Sequence, residues 1–206
     1  GVALAEVAAA MPQLFRGLHV LELGAGVGIS GLAIARCCSP ARCLLTDYSD
    51  AALRSMHHNT ALLPARAAAA VSVQHLDWAA LTPAAAAALQ PLDCIVGADV
   101  MYDPEAVPAL ARTLALLMAP APPAACGGDG AAAAAGDEDL SAPFPPGELR
   151  PGARPLVLLA YVPRDPRTRA VFRGALRSVG LGAVDVTAAS LAGVELAGGA
   201  LVLQLS

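Results

Sequence analysis

Apolar positions along this chain fall into two rhythms. Short continuous runs at His19–Leu23, Cys43–Thr46, Val71–Leu76, Asp93–Ala98 and Leu156–Tyr161 have the length of buried strands. Between them the spacing becomes helical. Leu4, Val7, Met11 and Leu14 predict a helix over residues 2–15, within an N-terminal segment 1–18. Ile29, Leu32 and Ala33 predict one face of a helix from about Gly28 to Cys38. Leu53, Met56, Thr60 and Leu63 predict a helix capped by Ser49 or Asp50. Residues 65–70 read as an alanine-rich connector. Thr82-Pro83 opens a short helix over 81–89. Asp103-Pro104 and Asp165-Pro166 share one start signal, with Asp as cap and Pro at the first position. The helix after Asp103 presents Val107, Leu110, Leu114 and Leu117, and Gly180 closes the helix after Asp165. Two last runs, Val184–Thr187 and Ala200–Leu205, read as an antiparallel pair.

Strands alternating with helices predict an α/β fold. It is a Rossmann-like doubly wound sheet of seven strands, mostly parallel with an antiparallel C-terminal edge and helices on both faces. The 206 residues are enough for a single domain, 1–206. Residues 119–154 stand apart. They are Pro, Gly and Ala with an acidic patch at Asp137-Glu138-Asp139, and read as a disordered low-complexity insertion. A chain that opens on Gly1 rather than Met reads as part of a longer protein.

Composition narrows the picture. Aromatic residues are only 3% of the chain, so its core is made of Leu, Val and Ala. A net charge of −4 provides no basic footprint for nucleic acid, and no apolar run is long enough to span a bilayer. Five cysteines without C-x-x-C spacing argue against a zinc motif and a disulfide framework, and fit a reducing, cytoplasmic location. Cys37, Cys43 and Cys94 read as small core residues. No metal site is expected. His57 and His58 are adjacent and so face different directions.

The organising stretch is Val20-Leu21-Glu22-Leu23-Gly24-Ala25-Gly26-Val27-Gly28-Ile29-Ser30-Gly31. A strand stops at glycines and a helix opens at once, a place where backbone passes close to a ligand. Gly26-x-Gly28-x-x-Gly31 fits the dinucleotide fingerprint, with Asp47 about 20 residues on where a ribose-binding acid belongs. Glu22-x-Gly24-x-Gly26-x-Gly28 fits the acidic loop of S-adenosylmethionine-dependent methyltransferases. A glycine-rich turn without a ligand is the third reading.

The strand ends weigh on this choice. In a doubly wound sheet, ligands bind outside the carboxyl ends of the strands. Glu22, Asp47, Asp77-Trp78, Asp99 with Tyr102, and Tyr161 all fall there. A carboxylate at Asp47 can accept both hydroxyls of a ribose. Trp78 can lie against an adenine, with Asp77 at its polar edge. No Tyr-x-x-x-Lys pair exists, and all 13 basic residues are arginine, which disfavours a dehydrogenase.

Val20-Leu21-Glu22-Leu23-Gly24-Ala25-Gly26, Thr46-Asp47, Asn59, Leu76-Asp77-Trp78 and Ala98-Asp99-Val100-Met101-Tyr102 together resemble the seven-stranded methyltransferases of the lysine-methyltransferase family sixteen type. Asp99-Val100-Met101-Tyr102-x-Pro104-Glu105 and Tyr161-Val162-Pro163-Arg164-Asp165-Pro166-Arg167-Thr168 are most similar to members that methylate a lysine of eukaryotic elongation factor 2. The resemblance implies a monomeric enzyme using S-adenosyl-L-methionine on a protein lysine, with an elongation factor as partner. It assigns Glu22, Gly24, Ala25, Gly26, Asp47, Asp77, Trp78 and Ala98 to the cofactor, and Asp99 and Tyr102 to catalysis. A small-molecule methyltransferase or a non-catalytic S-adenosylmethionine-binding module would share the same fold.

Overall fold

The computed structural model describes residues 1–119, 155–162, 166–186 and 201–205. Helix α1 (Val2–Ala10) and a 3₁₀ turn (Pro12–Leu14) replace the single helix expected over residues 2–15. There follow β1 (His19–Leu23), α2 (Ile29–Cys38), β2 (Arg42–Asp47), α3 (Asp50–Thr60) and the four-residue α4 (Ala65–Ala68). Next come β3 (Val71–His75), α5 (Pro83–Ala88), β4 (Cys94–Ala98), α6 (Val107–Met118) and β5 (Leu156–Tyr161). The chain ends with α7 (Pro166–Ser178), β6 (Ala183–Val186) and β7 (Leu201–Leu205). The expected insertion falls on residues that, from 120 to 154, lie outside the described ones.

The strands join in the order β3-β2-β1-β4-β5-β7-β6. The first five in that order run parallel. β7 runs antiparallel to both β5 and β6. The antiparallel strand is therefore one in from the edge, and the four-residue β6 forms the edge itself. Inserting β7 pairs it on both sides and leaves a short strand at that edge.

Successive strand residues face opposite layers. Leu21, Leu23, Leu44, Ile95, Val157 and Leu159 pack with buried residues of α5, α6 and α7. Val20, Cys43, Leu45, Cys94, Val96, Leu158 and Ala160 pack with α1, α2 and α3. Switching from winding one way to the other between β1 and β4 opens the carboxyl ends of those two strands.

Three local expectations change. The buried face of α2 is Ser30, Gly31, Ile34, Ala35 and Cys38, while Ile29 is 46% exposed. The helix presents its small residues because it lies hard against the sheet. A Cβ on Gly31 would stand 2.1 Å from Leu45 Cδ2 and 2.7 Å from Glu22 Oε2. In step with that rotation Cys37 is exposed and Cys38 is buried. Burial pushes the Cys43 and Cys94 thiols well up, so both stay protonated as core residues. Finally, Asp103 does not cap α6. Its carboxylate accepts from Glu105 N–H at 2.9 Å within a turn, and the helix starts after Ala106.

Candidate functional site

The turn after β1 is a chain of left-handed residues. Gly24, Gly26 and Gly28 have φ of 60°, 58° and 86°, a region open to glycine at little cost. Two main-chain bonds hold the turn. Ala25 N–H donates to the Thr46 carbonyl at 2.9 Å, and Gly28 N–H to the Ala25 carbonyl at 2.8 Å. Asn59 on α3 supports it from the side, donating from Nδ2 to the Val27 carbonyl at 2.9 Å.

Asp47 closes β2 with both carboxylate oxygens engaged. Gly26 N–H donates to Oδ2 and Ser49 N–H to Oδ1, each at 3.0 Å. Each oxygen still has a lone pair, so the half-buried carboxylate remains an acceptor on the side away from these amides. A Cβ on Gly26 would meet no atom within 4 Å. The open space of the cleft thus begins at the amide that Asp47 holds.

Glu22, which the resemblance assigns to the cofactor, is buried beside the glycine turn. Being even in the β1 alternation, it points to the α2 side, where it is 1% exposed. Gly31 N–H donates to its Oε2 at 2.8 Å. Loss of solvent is the largest influence and pushes its carboxyl up to about 7, opposed by the bonds from Ser30 and Gly31. Glu22 therefore ties the first turn of α2 to β1 beneath the glycine loop. Thr46, the neighbour of Asp47 in the Thr46-Asp47 pair, completes the floor by donating to the Glu22 carbonyl at 2.6 Å.

Trp78 follows β3 and borders Gly24. A Cβ on Gly24 would stand 3.2 Å from Trp78 Cζ2 and 3.0 Å from Val100 Cγ1. The ring packs, half-buried, on the α5–α6–α7 side of the core. Asp77 is exposed, and its Oδ1 accepts from Ala79 N–H at 2.8 Å, which shapes the turn carrying Trp78.

Ala98 ends β4, registered against Ala160 of β5. Asp99 follows with φ 58° and donates its N–H to the Ala160 carbonyl at 2.7 Å. A left-handed aspartate is uncommon away from turns and sites. Val100 and Met101 turn into the core, leaving Tyr102 66% exposed. Tyr161, at the end of β5, is buried with its hydroxyl lacking a hydrogen-bond partner, and burial raises its pKa. No cluster of His, Cys, Asp or Glu among the described residues could hold a metal ion. No helix among them is long and apolar enough to cross a membrane.

The glycine turn, the acid after β2 and the Asp-x-x-Tyr turn after β4 thus meet at one edge of the sheet. A profile described as lysine methyltransferase matches residues 4–127, spanning all of those elements. The chain belongs to the lysine methyltransferase family. It is 38% identical over 125 residues to the protein-lysine N-methyltransferase EEF2KMT of Homo sapiens, covering 56% of this chain and 38% of that protein. The Bos taurus protein of the same name is 34% identical over 130 residues, covering 54% and 38%. The chain therefore spans about two-fifths of the length of these curated relatives. Among solved structures, the glycopeptide N-methyltransferase MtfA complexed with sinefungin superposes with a TM-score of 0.60 at 12% identity, over 99% of this chain and 86% of that one. The ribosomal protein L11 methylase of Lactobacillus delbrueckii subsp. bulgaricus gives 0.54 at 16% identity, over 100% and 76%. At such identities these likenesses speak for the methyltransferase fold.

Proposed function

We propose that this chain is the catalytic domain of an S-adenosylmethionine-dependent protein-lysine N-methyltransferase, and that its substrate is a translation elongation factor. The observation that supports this most is the Asp47 carboxylate. It is held by Gly26 N–H and Ser49 N–H beside an open glycine turn, in a chain of the lysine methyltransferase family. An acceptor fixed in this way suits a ribose diol, and the turn suits a ligand that must approach backbone closely. The elongation-factor substrate rests on the likeness of Asp99–Glu105 and Tyr161–Thr168 to enzymes that act on elongation factor 2.

When bound, S-adenosylmethionine supplies a methyl group already activated by the positive sulfur. The protein's task is alignment, and orientation alone can be worth roughly 7–11 kcal/mol of a barrier. Gly24, Ala25 and Gly26 offer the backbone platform, Asp47 the ribose acceptor, and Asp77, Trp78 and Ala98 the surroundings of the adenine. Asp99 accepts a hydrogen bond from the entering amine and so directs its lone pair. Leaving water favours the neutral amine, which is the nucleophilic form. Tyr102 walls the entry and favours a methylated ammonium through its ring face.

Titration calorimetry with S-adenosylmethionine and with NADH tests the cofactor reading. Binding of the first and none of the second is expected. Tight NADH binding without S-adenosylmethionine binding overturns it.

A further inference from the structure

Helix α6 carries one arginine that leaves its own element and reaches back 34 residues. Arg112 Nη2 donates to the Ala79 carbonyl at 2.7 Å and to the Trp78 carbonyl at 3.3 Å. On the next residue, Thr113 is fully buried and donates from Oγ1 to the same Trp78 carbonyl at 3.4 Å. The rest of α6 buries an ordinary apolar face of Val107, Leu110, Ala111, Leu114 and Leu117. Packing that face does not require Arg112, whose side chain lies at the solvent edge of the helix.

What Arg112 grips is the stretch that sets Trp78. Asp77 bends the chain by accepting from Ala79 N–H, and α6 holds the carbonyls of Trp78 and Ala79. The backbone leaving the tryptophan is then tied, and its ring edge rests over Gly24, the first glycine of the turn. A shift of this loop would move the ring across the place where the glycine turn opens.

We infer that Arg112, assisted by Thr113, is a positioning residue that fixes Trp78 over Gly24 and thereby sets the cofactor side of the cleft. The inference rests on the cofactor reading above. Arg112 touches neither cofactor nor substrate in this scheme and acts through Trp78. Carbonyl oxygens gripped by a guanidinium are stronger contacts than neutral ones, though exposure to solvent weakens the hold.

Trp78 is the only tryptophan of the 206-residue chain, so its fluorescence reports this loop directly. The experiment compares the wild type with Arg112→Ala and Arg112→Lys. It reads acrylamide quenching of the ligand-free protein, the melting temperature, and KM and kcat for S-adenosylmethionine. Arg112→Ala should raise the quenching constant of Trp78 and raise KM about three- to tenfold, with kcat within about twofold. Arg112→Lys, which keeps a cationic donor, should recover part of both. Unchanged quenching overturns the role, whatever the melting temperature does. Changed quenching with an unchanged KM overturns it too, because the ring would then move without consequence for the cofactor. Should the wild type fail to bind S-adenosylmethionine, the cofactor reading falls separately, while the quenching still decides whether Arg112 holds Trp78.

Discussion

Asp47 and Gly26 are joined by a 3.0 Å hydrogen bond from amide to carboxylate, so the acid that ends β2 and the turn that follows β1 form one unit. Removing the acid should therefore have two effects. Asp47→Ala deletes the ribose acceptor and releases the amides of Gly26 and Ser49. A hydrogen bond to a charged group is worth about 1.5–3 kcal/mol, which corresponds to roughly a 10- to 150-fold weaker S-adenosylmethionine affinity by calorimetry. Unchanged affinity would show that Asp47 serves the turn alone.

Asp99 separates alignment of the substrate from cofactor binding. Asp99→Asn keeps the size of the side chain and removes its charge. The methylation rate should fall about tenfold to a thousandfold, the range for losing one positioned polar group, with S-adenosylmethionine affinity near normal. Calorimetry beside single-turnover kinetics measures both. Full activity in the folded variant would remove Asp99 from the reaction.

Glu22 should leave a mark on stability against pH. Its folded pKa, about 7, is raised above the ordinary 4.5 by burial. Between those values the folded protein keeps a proton that the unfolded chain has lost. This contribution therefore favours the fold at low pH and is lost as pH rises through that window, by on the order of 3 kcal/mol in all. Glu22→Gln keeps the shape and cannot ionise. The stability of the wild type relative to Glu22→Gln should thus decline from pH 5 to pH 8. Thermal melts of both proteins at fixed ionic strength follow this, and curves that stay parallel would contradict it.

Gly31 tests how closely α2 must approach the sheet. A methyl there would collide with Leu45 Cδ2 and Glu22 Oε2. Overpacking of this kind costs about 1–3 kcal/mol. Gly31→Ala should lower the melting temperature by several degrees, as a denaturation scan would show. A variant as stable as the wild type would mean that α2 can move away from β2 at no cost.

Much of this was legible in the sequence because buried parallel strands are short, apolar and bounded by turn residues. The strand ends carrying Asp47, Asp77-Trp78 and Asp99 fell within three residues of where β2, β3 and β4 stop. The rotation of α2 was not legible. Apolar spacing favoured Ile29, Leu32 and Ala33, yet close contact with Leu45 and Cys43 selects Gly31 and turns Ser30 inward beside it. Nor was the part played by Glu22. An acid beside a glycine loop shows nothing of its depth, which the strand alternation sets by putting it on the helix side. Strand parity supplied that signal, since Val20 and Glu22 share a face. Asp103-Pro104 misled because an aspartate that shapes a turn and one that caps a helix use the same local bond. The grip of Arg112 on Trp78 joins residues 34 apart, and no local pattern announces it.

The most direct measurement is transfer of labelled methyl from S-adenosylmethionine into a whole-cell extract, using the full-length enzyme with Asp99→Asn as control. The account predicts a labelled protein band of elongation-factor size that yields methyllysine on hydrolysis and is strongly reduced with the variant. Label found only in small molecules, or no label above the background of an enzyme-free extract, would contradict it.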